Sequence, residues 1–371
     1  MSELSELLSE LVSIDSVNPE LIQGAAGEDG IARFVAGWLE QAGLEVEVED
    51  VAPGRPNVVG VARGSGGGRT LMLNAHTDTV GVEGMEAPFE PRVDDGRLYG
   101  RGAYDMKAGL AAAMLAGRDA LARDLHGDVL VAAVVDEEVA SVGTEALVRT
   151  RRTDGAIVTE PTGLRVGVAH RGFVAFELTT EGRAAHGSRP DLGIDAIAKM
   201  GRVLVGLEAL DLALRARPTH PLLGSGSLHA SVIAGGQEYS SYPASCTLQA
   251  ERRTIPGETV ELVEAELATL LERLRGDDAD LRATWRRVFS REPFEIAPDD
   301  PFVELVNRHA GAELGGEAFW TDAALLADAG IPTVLYGPGG EGAHAAVEWV
   351  DLAQAERCRE VLLAVAIEFC A

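Results

Sequence analysis

The sequence is short of positive charge. Its 32 lysines and arginines stand against 59 aspartates and glutamates, a formal net charge of −27, and only Lys107 and Lys199 are lysines. Nucleic acid and anionic membrane surfaces would repel such a chain, so neither is an expected partner. The acidic excess is spread along the chain and reads as a solvated surface. Long apolar runs are missing too: none approaches the roughly 20 residues that span a bilayer. The first 15 residues are acidic and amphipathic, without the basic start and apolar block of a secretory signal. A cytoplasmic location is expected. Cysteine is sparse. Cys246, Cys358 and Cys370 are scattered and make no CxxC, and an odd number in a chain without an export signal argues for reduced thiols. No repeat of solenoid period occurs. The run 63–69, RGSGGGR, lacks a GK[ST] ending and a following helix, and no GxGxxG follows a strand. It reads as a flexible turn, and a nucleotide-dependent enzyme is not indicated.

What is present is material for two cores. With 371 residues and 46% hydrophobic content, two domains are the default. Leu4, Leu7, Leu8 and Leu11 keep helical spacing, and 31–42 repeats the pattern up to Gly43. Residues 44–51 alternate as a strand. The runs 57–62, 70–75, 129–135 and 156–159 are apolar and rich in β-branched residues, as strands covered on both faces should be. Between them 106–122 is Ala/Leu-rich and helical. This alternation predicts an α/β layer with a mostly parallel central sheet. Strands at 173–180, 228–234, 246–252 and 281–288, with helices at 194–210 and 259–274, then give the order β-α-β-β-α-β. That is the ferredoxin-like arrangement. The expected domains are therefore 1–169 with 289–371, and an inserted unit at 170–288.

Acids and histidines stand at the ends of the apolar runs. His76 and Asp78 follow the run 70–75, and alternate residues of an extended chain point the same way. His76 could bind a metal while Asp78 supports its imidazole, although most HxD pairs are structural. Asp105, in GRGAYDMKAG, is either a helix cap or a carboxylate shared by two metals. Glu137-Glu138 is either a solvated loop or a ligand beside a base that takes a proton from metal-bound water. Glu160 follows the strand 156–159. Sites in open α/β sheets gather at the carboxyl ends of strands, where His76, Glu137, Glu138 and Glu160 all fall. His344 lies in the glycine-rich GPGGEGAHAAVEW. His126, His220 and His309 read as surface or packing residues, whereas His170 and His229 could line a cleft.

With these pieces together the chain resembles the M20 family of metallopeptidases and amidohydrolases, which includes acetylornithine deacetylase, succinyl-diaminopimelate desuccinylase, aminoacylase and glutamate carboxypeptidase. The matching segments are NAHTDTV, YGRGAYDMKAG, VVDEEVAS, VTEPT, GRAAHGSRPDLGIDAI, ERRTIPGET and YGPGGEGAH, spread over almost the whole chain. The resemblance implies two divalent ions, zinc or alternatively cobalt. His76, Asp105 and Glu160 would hold one; Glu138, His344 and the shared Asp105 the other. Glu137 would be general base and then acid, and Asp78 would orient His76. The ions would polarise an amide carbonyl and bring the pKa of a bridging water towards about 7. The inserted unit would be a lid and dimerisation domain. From it His186 would reach a partner's site as an oxyanion donor, unless it merely caps the helix starting near Pro190. Arg253 would bind a substrate carboxylate, with Arg252 as its rival. Ala108 stands where many members have glycine. The implied substrate is an N-acyl amino acid, as in the deacetylase and desuccinylase branch, or a short peptide if the site serves a dipeptidase or glutamate-type carboxypeptidase. A non-catalytic binding protein on the same scaffold would have lost Glu137 or a ligand, and none is missing.

Overall fold

The computed structural model describes residues 2–371, and the chain divides into two compact units. The first takes in residues up to Val168 with Ile296–Gly315 and Thr321–Ala371. Its sheet runs in the order Glu45–Ala52, Arg55–Ala62, Val129–Val134, Leu71–His76, Gly155–Val158, Thr333–Leu335, Val166–His170. The sheet is mixed. Leu71–His76 lies parallel to both its neighbours, and Thr333–Leu335 is parallel to Gly155–Val158. The outer pairings are antiparallel. The parallel strands are joined through helices, whereas Glu45–Ala52 and Arg55–Ala62 are joined by a tight turn that forces a hairpin.

Burial follows from this construction. Leu71, Leu73 and Ala75 enter the main core with the helices Glu3–Val12, Ala108–Ala120 and Leu352–Phe369. The alternate residues face the other way, where Asn74 meets Thr144 of the helix Val142–Thr150. Helices thus cover both faces, which is why these strands read as continuous apolar runs. Ala108–Ala120 is almost wholly buried, and its small residues let it lie close to its neighbours. A Cβ on Gly109 would fall 2.1 Å from the carbonyl oxygen of Thr159, so this helix rests on the backbone that delivers Glu160. No helix among the described residues is long and apolar enough to cross a membrane.

The second unit comprises Ala169–Glu295 and Gly316–Trp320. Four antiparallel strands lie in the order Ser227–Gly235, Ser245–Thr254, Gly172–Glu181, Arg282–Arg291. Burial alternates along Gly172–Glu181, as a sheet covered on one face requires. Val174, Phe176 and Leu178 pack under Met200 and Val203 of the helix Ala196–Arg215 and Leu267 and Leu271 of Val260–Asp277. Asp195 and Thr259 cap these helices by accepting from the amides of Ala198 and Leu262. Cys246, Cys358 and Cys370 are buried free thiols.

Candidate metal centre

Strand ends deliver four of the six acids and histidines. His76 closes Leu71–His76, Glu160 lies two residues beyond Gly155–Val158, and Glu137 and Glu138 follow Val129–Val134 through Asp136, whose φ is +71°. Asp105 arrives from a turn ahead of Ala108–Ala120. It does not cap that helix: Lys107 holds the cap position, and Asp105 has non-helical φ and ψ of −117° and 94°. His344 comes from the loop after Thr333–Leu335, with a φ of +60°.

These residues converge on one place. His76 Nε2 lies 3.3 Å from Asp105 Oδ1 and 3.7 Å from Glu160 Oε1. His344 Nε2 lies 3.6 Å from Asp105 Oδ2 and 3.0 Å from Glu138 Oε2. Asp105 therefore turns one oxygen to each histidine. Ligand atoms of His76, Glu137 and Glu160 lie within 4.8 Å of one another, as do those of His76, Asp105 and Glu138. Glu138 Oε1 is buried, and among the described residues no donor reaches it. Imidazole nitrogens, crowded carboxylates and an acceptor without a donor make a set that divalent cations complete. The residues present fit divalent metal ions.

The electrostatics reflect the crowding. Burial, then the charge of Glu160, pushes Glu137 well above the usual carboxylate range. Burial raises Glu160 likewise, and burial and Asp105 raise Glu138. Burial also opposes ionisation of Asp105, but its bonds to His344 and His76 win and hold it well below the usual range. His344 is raised to about 10 by its bonds to Asp105 and Glu138. Burial disfavours charge on His76, yet bonds to Asp105 and Asp78 raise it.

A layer of buried polar groups supports the ligands. His76 Nδ1 faces the backbone carbonyl of Asp78 at 2.9 Å and its carboxylate at 3.5 Å. That carboxylate accepts the amide N–H of Glu137 at 3.1 Å, that of Glu138 at 3.2 Å, and Asn18 Nδ2 at 2.8 Å. Asp78 thus holds the turn of the two glutamates as well as the imidazole. Asn18 also donates to Asp136, which pairs with Arg55, itself paired with Glu28. Asp322, which burial pushes up to about 6, accepts from the hydroxyl of Thr144. Sequence reasoning missed Asn18, Arg55, Glu28 and Asp322. Only the placement of Asp136 just before Glu137-Glu138 could have drawn attention to this layer.

His186 and Arg253 belong to the second unit. His186 is exposed and caps no helix, since Ala196–Arg215 is capped by Asp195. Its Nδ1 accepts the amide N–H of Ser188 at 3.2 Å, which leaves the proton of the neutral ring on Nε2. Arg252 is not available to a ligand: it is 0% exposed and bonds Glu258 and Glu266. Arg253 is partly exposed, lies over the Phe173 ring at 5.4 Å and donates to Glu251. His170 is buried against Phe294, whereas His229 is exposed on Ser227–Gly235.

Acids and two histidines, brought together by strand ends and loops beside a mixed α/β sheet, form a donor set suited to divalent metal ions. Residues 72–368 match the model of peptidase family M20/M25/M40, and the chain belongs to that family. An acetylornithine deacetylase of Myxococcus xanthus is 31% identical, over 99% of this chain and 97% of its own. An N-formyl-4-amino-5-aminomethyl-2-methylpyrimidine deformylase of Bacillus subtilis is 30% identical, over 99% of this chain and 95% of its own. Among solved structures, the aminopeptidase PepT of Bacillus cereus superposes with a TM-score of 0.81 at 21% identity, covering 99% of this chain and 98% of its own. The last likeness is one of fold.

Proposed function

We propose that this hydrolase removes a small acyl group from the amine of an N-acyl amino acid. The observation that carries the chemistry is Asp105, whose two oxygens face two different histidines at 3.3 and 3.6 Å. The deacetylase and deformylase relatives are both named for releasing a small acyl group, and the deacetylase, named for acetylornithine, supports an amino acid as its carrier. His76, Asp105 and Glu160 would hold one divalent ion, and Glu138, His344 and Asp105 the other, with zinc the expected metal. When bound, the ions would supply Lewis acidity to the carbonyl and make the attacking water more acidic. Glu137 takes the proton from that water and passes it to the leaving nitrogen. Its raised proton affinity suits a base that works near neutral pH. Asp78 keeps His76 and the Glu137-Glu138 turn in place.

From the second unit, Arg253 would bind the substrate carboxylate, since Arg252 is already committed to Glu258 and Glu266. His186, with its proton on Nε2, would donate to the developing oxyanion in a partner's site. The unit would act as lid and dimerisation domain. Its outer strand Ser227–Gly235 leaves Val232 and Ile233 exposed, where a second copy could add. The test is a panel of N-acetyl, N-succinyl and N-formyl amino acids beside dipeptides and acyl-glutamates, assayed with metal-loaded protein. Turnover of N-acyl amino acids above that of dipeptides supports this reading. The reverse preference replaces it with a dipeptidase or glutamate-type carboxypeptidase.

A further inference from the structure

Glu348 lies four residues beyond His344 and is 1% exposed. Its Oε1 accepts the amide N–H groups of Tyr104 at 2.9 Å and Asp105 at 3.0 Å. Its Oε2 accepts the amide of Gly102 at 3.0 Å and Nη1 of Arg101 at 2.7 Å. Four donors thus meet one carboxylate, and among the described residues it makes no hydrogen bond to a ligand side chain. Arg101 extends the contact: Nη2 donates to the carbonyl of Ala345 at 3.1 Å and Nε to that of Gly81 at 3.1 Å. Through this buried pair the turn bearing Asp105 is tied to the residue next to His344.

We infer that Glu348 is a positioning residue: by fixing the 102–105 backbone it keeps Asp105 between His76 and His344, and so sets the affinity for the ion on the His344 side. The inference rests on the reading that Asp105 is shared by two ions. The asymmetry has a physical cause. His76 and Glu160 are delivered by parallel strands, and Asp78 holds the imidazole, so the ion on that side keeps two anchored ligands when Asp105 shifts. His344 has a half-exposed side chain on a loop, and Asp105 sits in non-helical backbone, so both depend on what holds those loops. A carboxylate has acceptor capacity for all four donors. A glutamine has one acceptor oxygen and would turn an NH2 group towards two of them.

The experiment is titration of metal-free protein with Co2+, followed by visible absorption and by calorimetry, on wild type, Glu348→Gln and Arg101→Gln. Supporting residues of metal sites typically set affinity by about 10- to 100-fold. Wild type should bind two ions per chain. In Glu348→Gln the second step should weaken by that factor while the first stays within about threefold, with the metal-free melting temperature preserved. Arg101→Gln leaves Glu348 its three amides and should weaken the second step alone, which keeps the test open if Glu348→Gln does not fold. Wild-type affinity at both steps in a folded variant overturns the inference. So does equal weakening of both steps with a lowered melting temperature, which is general destabilisation. Asp105→Ala is run alongside. If it still binds two ions the shared-ligand reading fails; if it loses them while Glu348→Gln does not, only the role of Glu348 fails.

Discussion

The two halves of the candidate metal centre are built by different means. His76 and Glu160 stand at the ends of adjacent parallel strands and are buried. Asp105 and His344 stand on loops, and His344 keeps 56% of its side chain exposed. A strand end is held by the ladder on both sides, so its side chain inherits the rigidity of the sheet. A loop has no ladder. Here its place is taken by buried charge, with Glu348 and Arg101 satisfying amides and carbonyls that would otherwise need water. One site therefore combines a half held by secondary structure and a half held by a polar brace. The brace is the part that substitution can loosen without disturbing the sheet.

The largest effect is expected from the group that belongs to neither half. Glu137 follows a strand, yet its amide is held by Asp78 and its carboxyl reaches His76 and Glu160 closely enough to be a ligand. Glu137→Gln should keep both ions and lower kcat by about 10² to 10⁴, the usual cost of losing a general base. Elemental analysis beside steady-state kinetics checks this. A variant that loses an ion places Glu137 among the ligands instead, and a variant with near-normal turnover has another base.

The next prediction sharpens the comparison itself. In the proposed scheme Asp105 serves both ions and His344 only one. Asp105→Ala should leave the protein with neither ion, whereas His344→Ala should keep the one on His76 and Glu160. Metal content after dialysis decides the matter. Full occupancy in the Asp105 variant removes the shared ligand from the scheme.

The strand-borne half was the legible one. The apolar runs ending at residues 75, 135 and 159 predict buried strands, and the acids just beyond them fall where sheet sites form. The resemblance carried by NAHTDTV, YGRGAYDMKAG and YGPGGEGAH placed Asp105 and His344 in the same site, and the structure brings them together. Spacing does not reveal the bracing. Glu348 acts on residues more than 240 positions earlier, through backbone amides that have no signature in sequence. Asn18 reaches Asp78 across 60 positions for the same reason. The sheet reads as mostly parallel from its alternation with helices, and the antiparallel edge at Glu45–Ala52 and Arg55–Ala62 is set by the turn between them, which periodicity does not register.

A third prediction sets the first unit against the second. Every candidate ligand lies in the first; His186 lies in the second, exposed, with Nδ1 occupied by Ser188. His186→Ala should keep metals and fold and lose about 10² to 10³ in turnover, the usual worth of an oxyanion donor. If the donor comes from a partner, mixing this variant with Glu137→Gln should restore part of the activity after subunit exchange. One subunit then brings an intact base and the other an intact His186. Mixed dimers that form yet stay inactive, or a chain that is monomeric at assay concentration, remove donation between subunits.

The smallest effect on activity is expected at the far end of the braced loop, where it is read as stability. Lys107 is fully buried just before Ala108–Ala120, and its Nζ donates to the carbonyls of Leu11 at 3.0 Å and Ile14 at 2.8 Å, closing the end of Glu3–Val12. Burial pushes its ammonium down to about 7 from an ordinary value of 10.5. The sign follows from proton counting. Between these two values the unfolded chain carries a proton on Lys107 that the folded chain has given up, so the unfolded state binds more protons and stability rises with pH. The folded protein bears the full penalty below pH 7, is relieved of it progressively up to 10.5, and gains nothing further above. Within the window the slope from this one group is at most about 1.4 kcal/mol per pH unit. Lys107→Met keeps a long flexible side chain and removes the titration. Urea unfolding of metal-free protein from pH 6 to 10 should therefore show wild type gaining on Lys107→Met as pH rises through the window. A difference between the two that stays flat with pH shows that Lys107 keeps its ordinary proton affinity in the folded chain. The loop bearing Asp105 would then be anchored to the first helix by a fully charged ammonium rather than by a group that titrates near neutrality.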